Sequence, residues 1–324
     1  MLCLEQVHDE IISRGMLGSD VVLGNALVDM YGKCGYLIKA QQVLEELPVR
    51  NVVSWSTLIA GYAREGQGHK ALYCVERMQS EGFSADGITF SCILKACGNT
   101  WAIGKGKYIH EVIVSRNLLE KDAALGNALV DMYAKFGMLT KANQVLEQLS
   151  LRDIVSWNAL ITGYAQQGDG HAALACFLEM QNHGLPPDEV TFLSVLSACT
   201  HSGLLCEAQM VFKDMTRKYG VMPNLEHHTC MVVVSGLAGH FDEAISVIKV
   251  MPSSDHVEIW LALLGACRRW GHVKLGVLAF DQIIQIDNSC ASAYVIVGNI
   301  FAASGMQEDA ENAKAMRVKY GGSL

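Results

Sequence analysis

One segment of this chain occurs twice. The stretch from Asn25 to Gly35 reads NALVDMYGKCG, and the stretch from Asn127 to Gly137, 102 residues later, reads NALVDMYAKFG. The same displacement relates SWSTLIAGYAREG at 54–66 to SWNALITGYAQQG at 156–168. A recurrence of this kind within one chain predicts a fold made of repeated structural units.

The 102-residue block itself consists of three similar units of 31, 35 and 36 residues. Counting each unit from the hydrophobic pair before its first helix gives seven consecutive units. They are 21–51, 52–86, 87–122, 123–153, 154–188, 189–224 and 225–255. Residues 1–20 match the back half of a unit, so we expect a partial repeat there and a native start further upstream. Residues 256–324 follow the seven units.

Each unit is predicted to form two helices. The second half carries apolar residues at helical spacing, as in Ala40, Val43, Leu44 and Leu47. A glycine usually separates the halves and can take the left-handed conformation that ends a helix. Trp101 stands at that place in the third unit, so its turn is expected to be built differently. Because stacking buries the apolar stripes, we predict an all-α fold, a right-handed superhelical α-solenoid of helix-turn-helix repeats.

Composition and motifs argue against several classes of function. A net charge of −8 does not favour wholesale nucleic-acid binding, and no apolar run approaches 18 residues, so no membrane span is expected. His8-Asp9-Glu10 has the H-x-E pattern of zinc deaminases, but no P-C-x-x-C pair completes a zinc site. We therefore predict no enzyme activity, metal or cofactor, and we interpret His8 and His110 as satisfied core histidines.

The segments NALVDMYGKCG and VVSWSTLIAGYAREGQGHKAL, with units of 31, 35 and 36 residues, resemble the pentatricopeptide repeat (PPR) family and its plant PLS subclass. Residues 256–324, which include IWLALLGACRRWGHVKLG, resemble the E-type motifs of that subclass, without a DYW deaminase domain after them. The resemblance implies an adaptor that binds single-stranded RNA and selects sites for C-to-U editing in a mitochondrion or chloroplast. It also implies recruitment of a DYW-type deaminase or other editing factors in trans through 256–324.

The resemblance further implies that the fifth and last residues of each unit read one base. We call these two residues the recognition pair. The pairs are Asn25 with Asn51, Ser56 with Asp86, Ser91 with Asp122, Asn127 with Asp153, Asn158 with Asp188, and Thr229 with Asp255. Leu193, paired with Asn224, has no polar group to offer. By the family's code, the expected preference is 5′-C-G-x-U-U-x-G.

Two further sets of residues follow from the resemblance. Aliphatic side chains at the second place of a unit would sandwich a base, and these are Val22, Val53, Ile88, Val155 and Val190. Ala124 and Glu226 depart from that pattern. Basic side chains at the thirteenth place would contact phosphates, and these are Lys33, Arg64 and Lys135.

Other interpretations of the same residues stay open. Asn25, Asn127 and Asn158 could begin or cap helices, and Asp86, Asp122 and Asp188 could cap the helix that follows them. The basic residues could form an ordinary solvated face. The chain could also be an RNA stability or processing factor, or a protein-binding helical scaffold without RNA specificity.

Overall fold

The structure is a computed structural model, which describes residues 2–18, 20–119, 122–251 and 256–320. Those residues form α-helices and no strands, which confirms the predicted all-α fold. The helices are α1 Leu2–Ser13, α2 Val21–Lys33, α3 Leu37–Glu46, α4 Val52–Arg64, α5 Gly68–Ser80, α6 Gly87–Thr100, α7 Ile103–Ser115, α8 Ala123–Lys135, α9 Leu139–Gln148, α10 Ile154–Gln166, α11 Gly170–Asn182, α12 Glu189–Ser202, α13 Leu205–Arg217, α14 Leu225–Leu237, α15 Phe241–Val250, α16 Val257–Trp270, α17 Val273–Ile286, α18 Ala291–Ala303 and α19 Gln307–Tyr320.

The helices pack in two compact units that divide between Gly163 and Tyr164. In the first unit α2, α4, α6 and α8 lie side by side, and each is the first helix of its pair. The second helices α3 and α5 pack on their own partner and on the next first helix. The first helices therefore form one continuous layer within this unit, and their equivalent positions lie in a row.

The second compact unit repeats this packing. Its first helices α12, α14, α16 and α18 contact one another in order, and α13 and α17 each contact the first helix that follows. Around α16 the core is fully buried and apolar, with Ile259, Leu263 and Leu264 at its centre. Burial of such side chains stabilises each by about 1.5–3 kcal/mol relative to exposure.

Polar side chains fix where the first helices begin. The residues that cap α2, α4, α6, α8, α12 and α14 each accept a hydrogen bond from a backbone N–H of the first turn, and they are Asp20, Asn51, Asp86, Asp122, Asp188 and Asn224. The capping interpretation of Asp86, Asp122 and Asp188 is thus confirmed. For Asn25, Asn127 and Asn158 it is wrong, because each is the fifth residue of its helix.

A close approach beside the first helix sets the geometry of the two 31-residue units in the first compact unit. A Cβ atom at Gly24 would lie 2.3 Å from Cδ2 of Leu47, and one at Gly126 would lie 2.3 Å from Cδ2 of Leu149. Only glycine allows these leucines to press against the helix backbone. The contact holds the end of each unit next to the beginning of its first helix.

The expectation of a different turn at Trp101 is wrong. Trp101 has φ 56° and ψ 31°, and Gly203, at the matching place 102 residues later, has φ 69° and ψ 25°. Both residues are left-handed, so the two turns have the same shape although a tryptophan pays a steric cost there that glycine avoids. Within the described ranges, no helix has the length and apolar character needed to cross a bilayer.

Candidate nucleic-acid interface

The second and fifth residues of each unit lie on one face of its first helix, because residues three apart are neighbours on a helix surface. In α2 these residues are Val22 and Asn25, and in α8 they are Ala124 and Asn127. In the six units from 21–51 to 189–224, the last residue follows the second helix and caps the next first helix. The recognition pair therefore combines a side chain on one first helix with the side chain at the start of the next first helix.

The structure brings the predicted pair of unit 21–51 together. Nδ2 of Asn25 donates to Oδ1 of Asn51 at 3.4 Å, across 26 residues of sequence. The same Oδ1 accepts from the backbone N–H of Ser54 at 2.9 Å, which begins α4. Since Oδ1 is held by that N–H donor, the orientation of the Asn51 amide is fixed and its Nδ2 faces away from the cap.

The pair of unit 123–153 is also joined. Nδ2 of Asn127 donates to Oδ2 of Asp153 at 2.9 Å, while Oδ1 of Asp153 accepts from the backbone N–H of Ser156 at 3.0 Å. A carboxylate can only accept, so the Asn127 amide must turn its nitrogen toward Asp153. Asp153 therefore caps a helix with one oxygen and holds the asparagine with the other.

In both asparagines the side-chain oxygen has no hydrogen-bond partner among the described residues. Oδ1 of Asn25 and Oδ1 of Asn127 are buried and have no hydrogen-bond partner within the described part of the chain. A buried acceptor left unsatisfied costs about 1–3 kcal/mol. The same unsatisfied atom occurs at the same place in two repeats, which points to a partner that is supplied from outside the chain.

Two arginines hold the ends of these units, and sequence reasoning missed them. Nε of Arg50 donates to the carbonyl of Leu44 at 2.9 Å, and Nε of Arg152 donates to the carbonyl of Leu146 at 3.1 Å. Each arginine precedes the last residue of its unit and satisfies carbonyls at the end of the second helix. The signal was present in the sequence as an arginine at the penultimate place of units 21–51 and 123–153.

The recognition pairs of units 52–86 and 87–122 differ from these. Ser56 is buried and donates to the carbonyl of Val53 at 3.2 Å, whereas Asp86 caps α6 through the N–H and hydroxyl of Thr89. Ser91 is half-buried on α6, and Asp122 caps α8 through the N–H of Ala124 at 3.0 Å. Neither pair is joined in the way that Asn25 and Asn51 are.

The later pairs have distinct environments. Asn158 is 8% exposed on α10, and Asp188 caps α12 through Thr191. Thr229 donates to the carbonyl of Leu225 at 2.8 Å, and its predicted partner Asp255 lies outside the described residues.

Leu193 lies half-buried on α12, and Asn224 is fully engaged. Its Oδ1 caps His227 and its Nδ2 donates to Glu189. Both polar atoms of the Asn224 amide are therefore used within the protein.

The predicted sandwiching residues are exposed aliphatic side chains. The exposed fraction is 75% for Val22 and 69% for Ile88, and it exceeds one half for Val53, Val155 and Val190. Helix positions of this kind normally carry polar residues when they face water. An exposed aliphatic beside the fifth residue in five of the seven units is suited to stacking against a flat apolar ring.

The predicted phosphate contacts lie at the other end of the first helices. Lys33 forms an ion pair with Asp29 at 2.6 Å, and Lys135 forms one with Asp131 at 2.8 Å. Arg64 is exposed at the matching place of α4. The structure thus places the three basic residues at equivalent ends of neighbouring helices and shows that two of them carry acidic partners.

A histidine and a tyrosine form the same contact at the first helices of units 21–51 and 123–153. Nδ1 of His110 shares a hydrogen bond of 2.8 Å with the hydroxyl of Tyr133, and His8 does the same with Tyr31 at 3.1 Å. Burial and nearby Lys141 lower the pKa of His110. Nε2 of both histidines has no partner among the described residues, so the expectation of fully satisfied core histidines holds for only one nitrogen.

Comparisons with known proteins identify the family. A sequence model of the PPR repeat family matches residues 50–99 and 152–201, and a model of the PPR repeat matches 25–52, 127–154 and 190–219. Together the matches cover about half of the chain. The chain belongs to the pentatricopeptide repeat family.

Plant relatives match over nearly the whole chain. The chloroplastic pentatricopeptide repeat-containing protein At1g08070 of Arabidopsis thaliana is 37% identical over 313 residues, which are 96% of this chain and 42% of that protein. The chloroplastic protein CRR2 of the same species is 36% identical over 314 residues, which are 96% of this chain and 48% of that protein. The chain thus spans about half the length of the curated relatives it matches.

A solved structure shares the fold. The pentatricopeptide repeat protein PPR10, in complex with an 18-nucleotide psaJ RNA element, matches with a TM-score of 0.75 and 18% identity. The match covers 98% of this chain and 48% of that chain. The structure of PPR10 from maize matches with a TM-score of 0.54 over 93% of this chain. The chain therefore has the α-solenoid fold of these proteins.

Proposed function

We propose that this chain binds single-stranded RNA and reads bases through its recognition pairs. The observation that carries the proposal is the unsatisfied Oδ1 of Asn25 and of Asn127. Each asparagine lies in the N-terminal half of its first helix and is held beside its pair partner. A base that enters there provides the missing partner. Each asparagine is half-buried, so a base would reach the oxygen after the amide turns away from its pair partner.

The chemistry of the two joined pairs favours different bases. The carboxylate of Asp153 and Oδ1 of Asn127 are acceptors, which suit the N3–H donor of uracil and oppose the N3 lone pair of cytosine. In unit 21–51, Nδ2 of Asn51 can donate to N3 of cytosine, and Oδ1 of Asn25 can accept from its amino group. This reasoning supports U at unit 123–153 and C at unit 21–51, in agreement with the family's code.

Neighbouring features supply the rest of a binding surface. The exposed aliphatics Val22, Val53 and Ile88 would lie against base faces, and Lys33, Arg64 and Lys135 would meet the backbone phosphates. Base stacking and phosphate contacts together are the usual sources of affinity for single strands. The net charge of −8 leaves this affinity dependent on a few local cations, so binding should weaken as salt is added.

Fluorescence anisotropy with labelled RNA tests the proposal. The oligonucleotide 5′-C-G-x-U-U-x-G should bind at least tenfold more tightly than a permuted oligonucleotide of the same composition. Equal binding of the two would reject base reading. Absence of binding to either one would reject RNA recognition and favour a protein-binding scaffold.

We further propose that the bound RNA is an organellar transcript and that the chain selects a C-to-U editing site on it. The support is the resemblance of the unit lengths to the PLS subclass and of 256–324 to E-type motifs, together with the chloroplastic relatives. Residues 256–324 would then receive a deaminase in trans. Sequencing of mitochondrial and chloroplast transcripts after loss of the gene should show one or a few unedited cytidines. Intact editing with altered transcript ends or abundance would instead assign a processing or stability role.

A further inference from the structure

Two aspartates share a helix face with the base-reading asparagines. Along α2, Asn25, Asp29 and Lys33 are spaced four residues apart, and α8 repeats the pattern as Asn127, Asp131 and Lys135. Side chains at this spacing lie above one another on one helix face. A carboxylate therefore stands between the atom that would read a base and the lysine that would contact a phosphate.

Each aspartate is paired with the lysine next to it. The Asp29–Lys33 distance is 2.6 Å and the Asp131–Lys135 distance is 2.8 Å, and all four side chains are partly exposed to solvent. Exposed pairs of this kind contribute little to stability. Their more important effect is electrostatic, because each pair is neutral where a lone lysine would carry a full positive charge.

The neighbouring helix provides a natural contrast. In α4 the basic residue is Arg64, and Ala60 stands where α2 and α8 have their aspartates. Within the described ranges of the chain, Arg64 has no acidic partner. One position in this row therefore offers an uncompensated cation, and two positions offer a cation whose charge is cancelled four residues away.

We propose that Asp29 and Asp131 act as specificity-determining residues, because they weaken phosphate binding so that base recognition decides which RNA is held. The inference rests on the proposed RNA-binding function. A phosphate that approaches Lys33 or Lys135 is attracted by the lysine and repelled by the adjacent carboxylate. Affinity that does not depend on sequence is thereby reduced, while hydrogen bonds to the bases are unaffected.

The double variant Asp29→Asn/Asp131→Asn tests the proposal, since asparagine keeps the shape and removes the charge. Its affinity for a permuted RNA should rise about tenfold in low salt, and its preference for 5′-C-G-x-U-U-x-G over that RNA should fall. The slope of log affinity against log salt should steepen by up to about 1.4, or about 0.7 for each phosphate contact that gains strength.

The opposite change provides a second arm. Ala60→Asp places a carboxylate one turn before Arg64 and should lower affinity for both RNAs while flattening the salt slope by up to about 0.7. The control is Asp281→Asn, at an exposed position on α17. It removes one negative charge, as Asp29→Asn or Asp131→Asn alone does, and should leave binding nearly unchanged. Circular dichroism and thermal melting establish that each variant is folded.

The outcomes separate the two claims. Unchanged affinity in Asp29→Asn/Asp131→Asn would overturn the inference and leave RNA binding intact. Reduced affinity would also overturn it, because the aspartates would then position the lysines for phosphate contact. An equal gain in Asp281→Asn would show a general effect of net charge. If the unaltered chain binds no RNA, the proposed function fails and the inference fails with it.

Discussion

Units 21–51 and 123–153 are two copies of one structure that differ at the residue which matters most. In both, an aspartate caps the first helix, a glycine admits a leucine against it, and an arginine holds the end of the unit. In both, the fifth residue is an asparagine whose Nδ2 is bound and whose Oδ1 is unsatisfied among the described residues. The last residue is Asn51 in one copy and Asp153 in the other.

The difference shows how a repeat can change the base it prefers without changing its fold. Replacing a carboxylate oxygen by an amide NH₂ exchanges an acceptor for a donor, and the helix cap is kept because one oxygen remains for it. The asparagine at the fifth place supplies a common acceptor. The last residue then decides whether a carboxylate acceptor or an amide donor is added to it.

Removal of the shared asparagines should have the largest effect. The double variant Asn25→Leu/Asn127→Leu places at both sites the residue found naturally at Leu193. It should weaken binding of 5′-C-G-x-U-U-x-G by about 2 kcal/mol or more, roughly 30-fold, since each well-formed base contact is worth about 1–3 kcal/mol. Anisotropy titration measures the loss. Asn143→Leu on the second helix α9 is the matched control, and a similar loss there would contradict base reading.

The contact between His110 and Tyr133 should affect stability and not base choice. His110→Phe copies Phe212, which lies 102 residues later at the matching place of unit 189–224 and makes an edge contact with His228. It removes the unsatisfied Nε2 but also takes away the hydrogen-bond partner of the buried Tyr133 hydroxyl, so the two effects should nearly cancel and the free energy of unfolding at pH 7 should change by less than about 1 kcal/mol.

The same variant should change the response to acid. Because the pKa of His110 is lowered in the folded state, the unfolded chain takes up its proton first as pH falls below about 6.5. Stability is therefore lost toward pH 5, and His110→Phe should flatten that loss. Urea unfolding at pH 7 and pH 5 measures both effects. A changed preference between C and U would contradict a purely supporting role.

The smallest effect is expected in unit 189–224. Leu193→Asn restores the asparagine that the two joined pairs share, but Asn224 already uses its Oδ1 on His227 and its Nδ2 on Glu189. RNA selected with this variant should show no new base preference, within about 0.3 kcal/mol. A strong new preference would mean that the fifth residue reads a base without its partner.

Much of the fold followed from local pattern. Apolar spacing in segments such as Ala40 to Leu47 identified the helices, and the glycine at Gly35 identified the turn, because both signals act within a few residues. Trp101 was misjudged because the surrounding helices impose a left-handed turn that a single residue type does not dictate. Local propensity was overridden by tertiary structure at that position.

The site was only partly predictable. The pairing of Asn127 with Asp153 followed from the family resemblance, and the structure joins them at 2.9 Å. The unsatisfied Oδ1 atoms, the arginine anchors and the separation of Ser56 from Asp86 depend on atomic contacts across some 30 residues. In Asp86 both capping bonds from Thr89 go to Oδ1, while the nearby Ser56 donates to the carbonyl of Val53.

An exchange of the last residues tests the central claim most directly. Asp153→Asn gives unit 123–153 the recognition pair of unit 21–51, and Asn51→Asp does the reverse. Each new residue keeps an oxygen that can cap the next helix at its serine, Ser156 or Ser54. Competition binding would use 5′-C-G-x-U-U-x-G and two derivatives, one with C at the fourth position and one with U at the first.

The account predicts that Asp153→Asn changes the preference at the fourth position from U to C by about tenfold, or about 1.4 kcal/mol. Asn51→Asp should change the first position from C to U by a similar factor, and neither variant should alter the other position. If both variants bind RNA and keep the original preferences, the last residue does not choose the base and the account is contradicted.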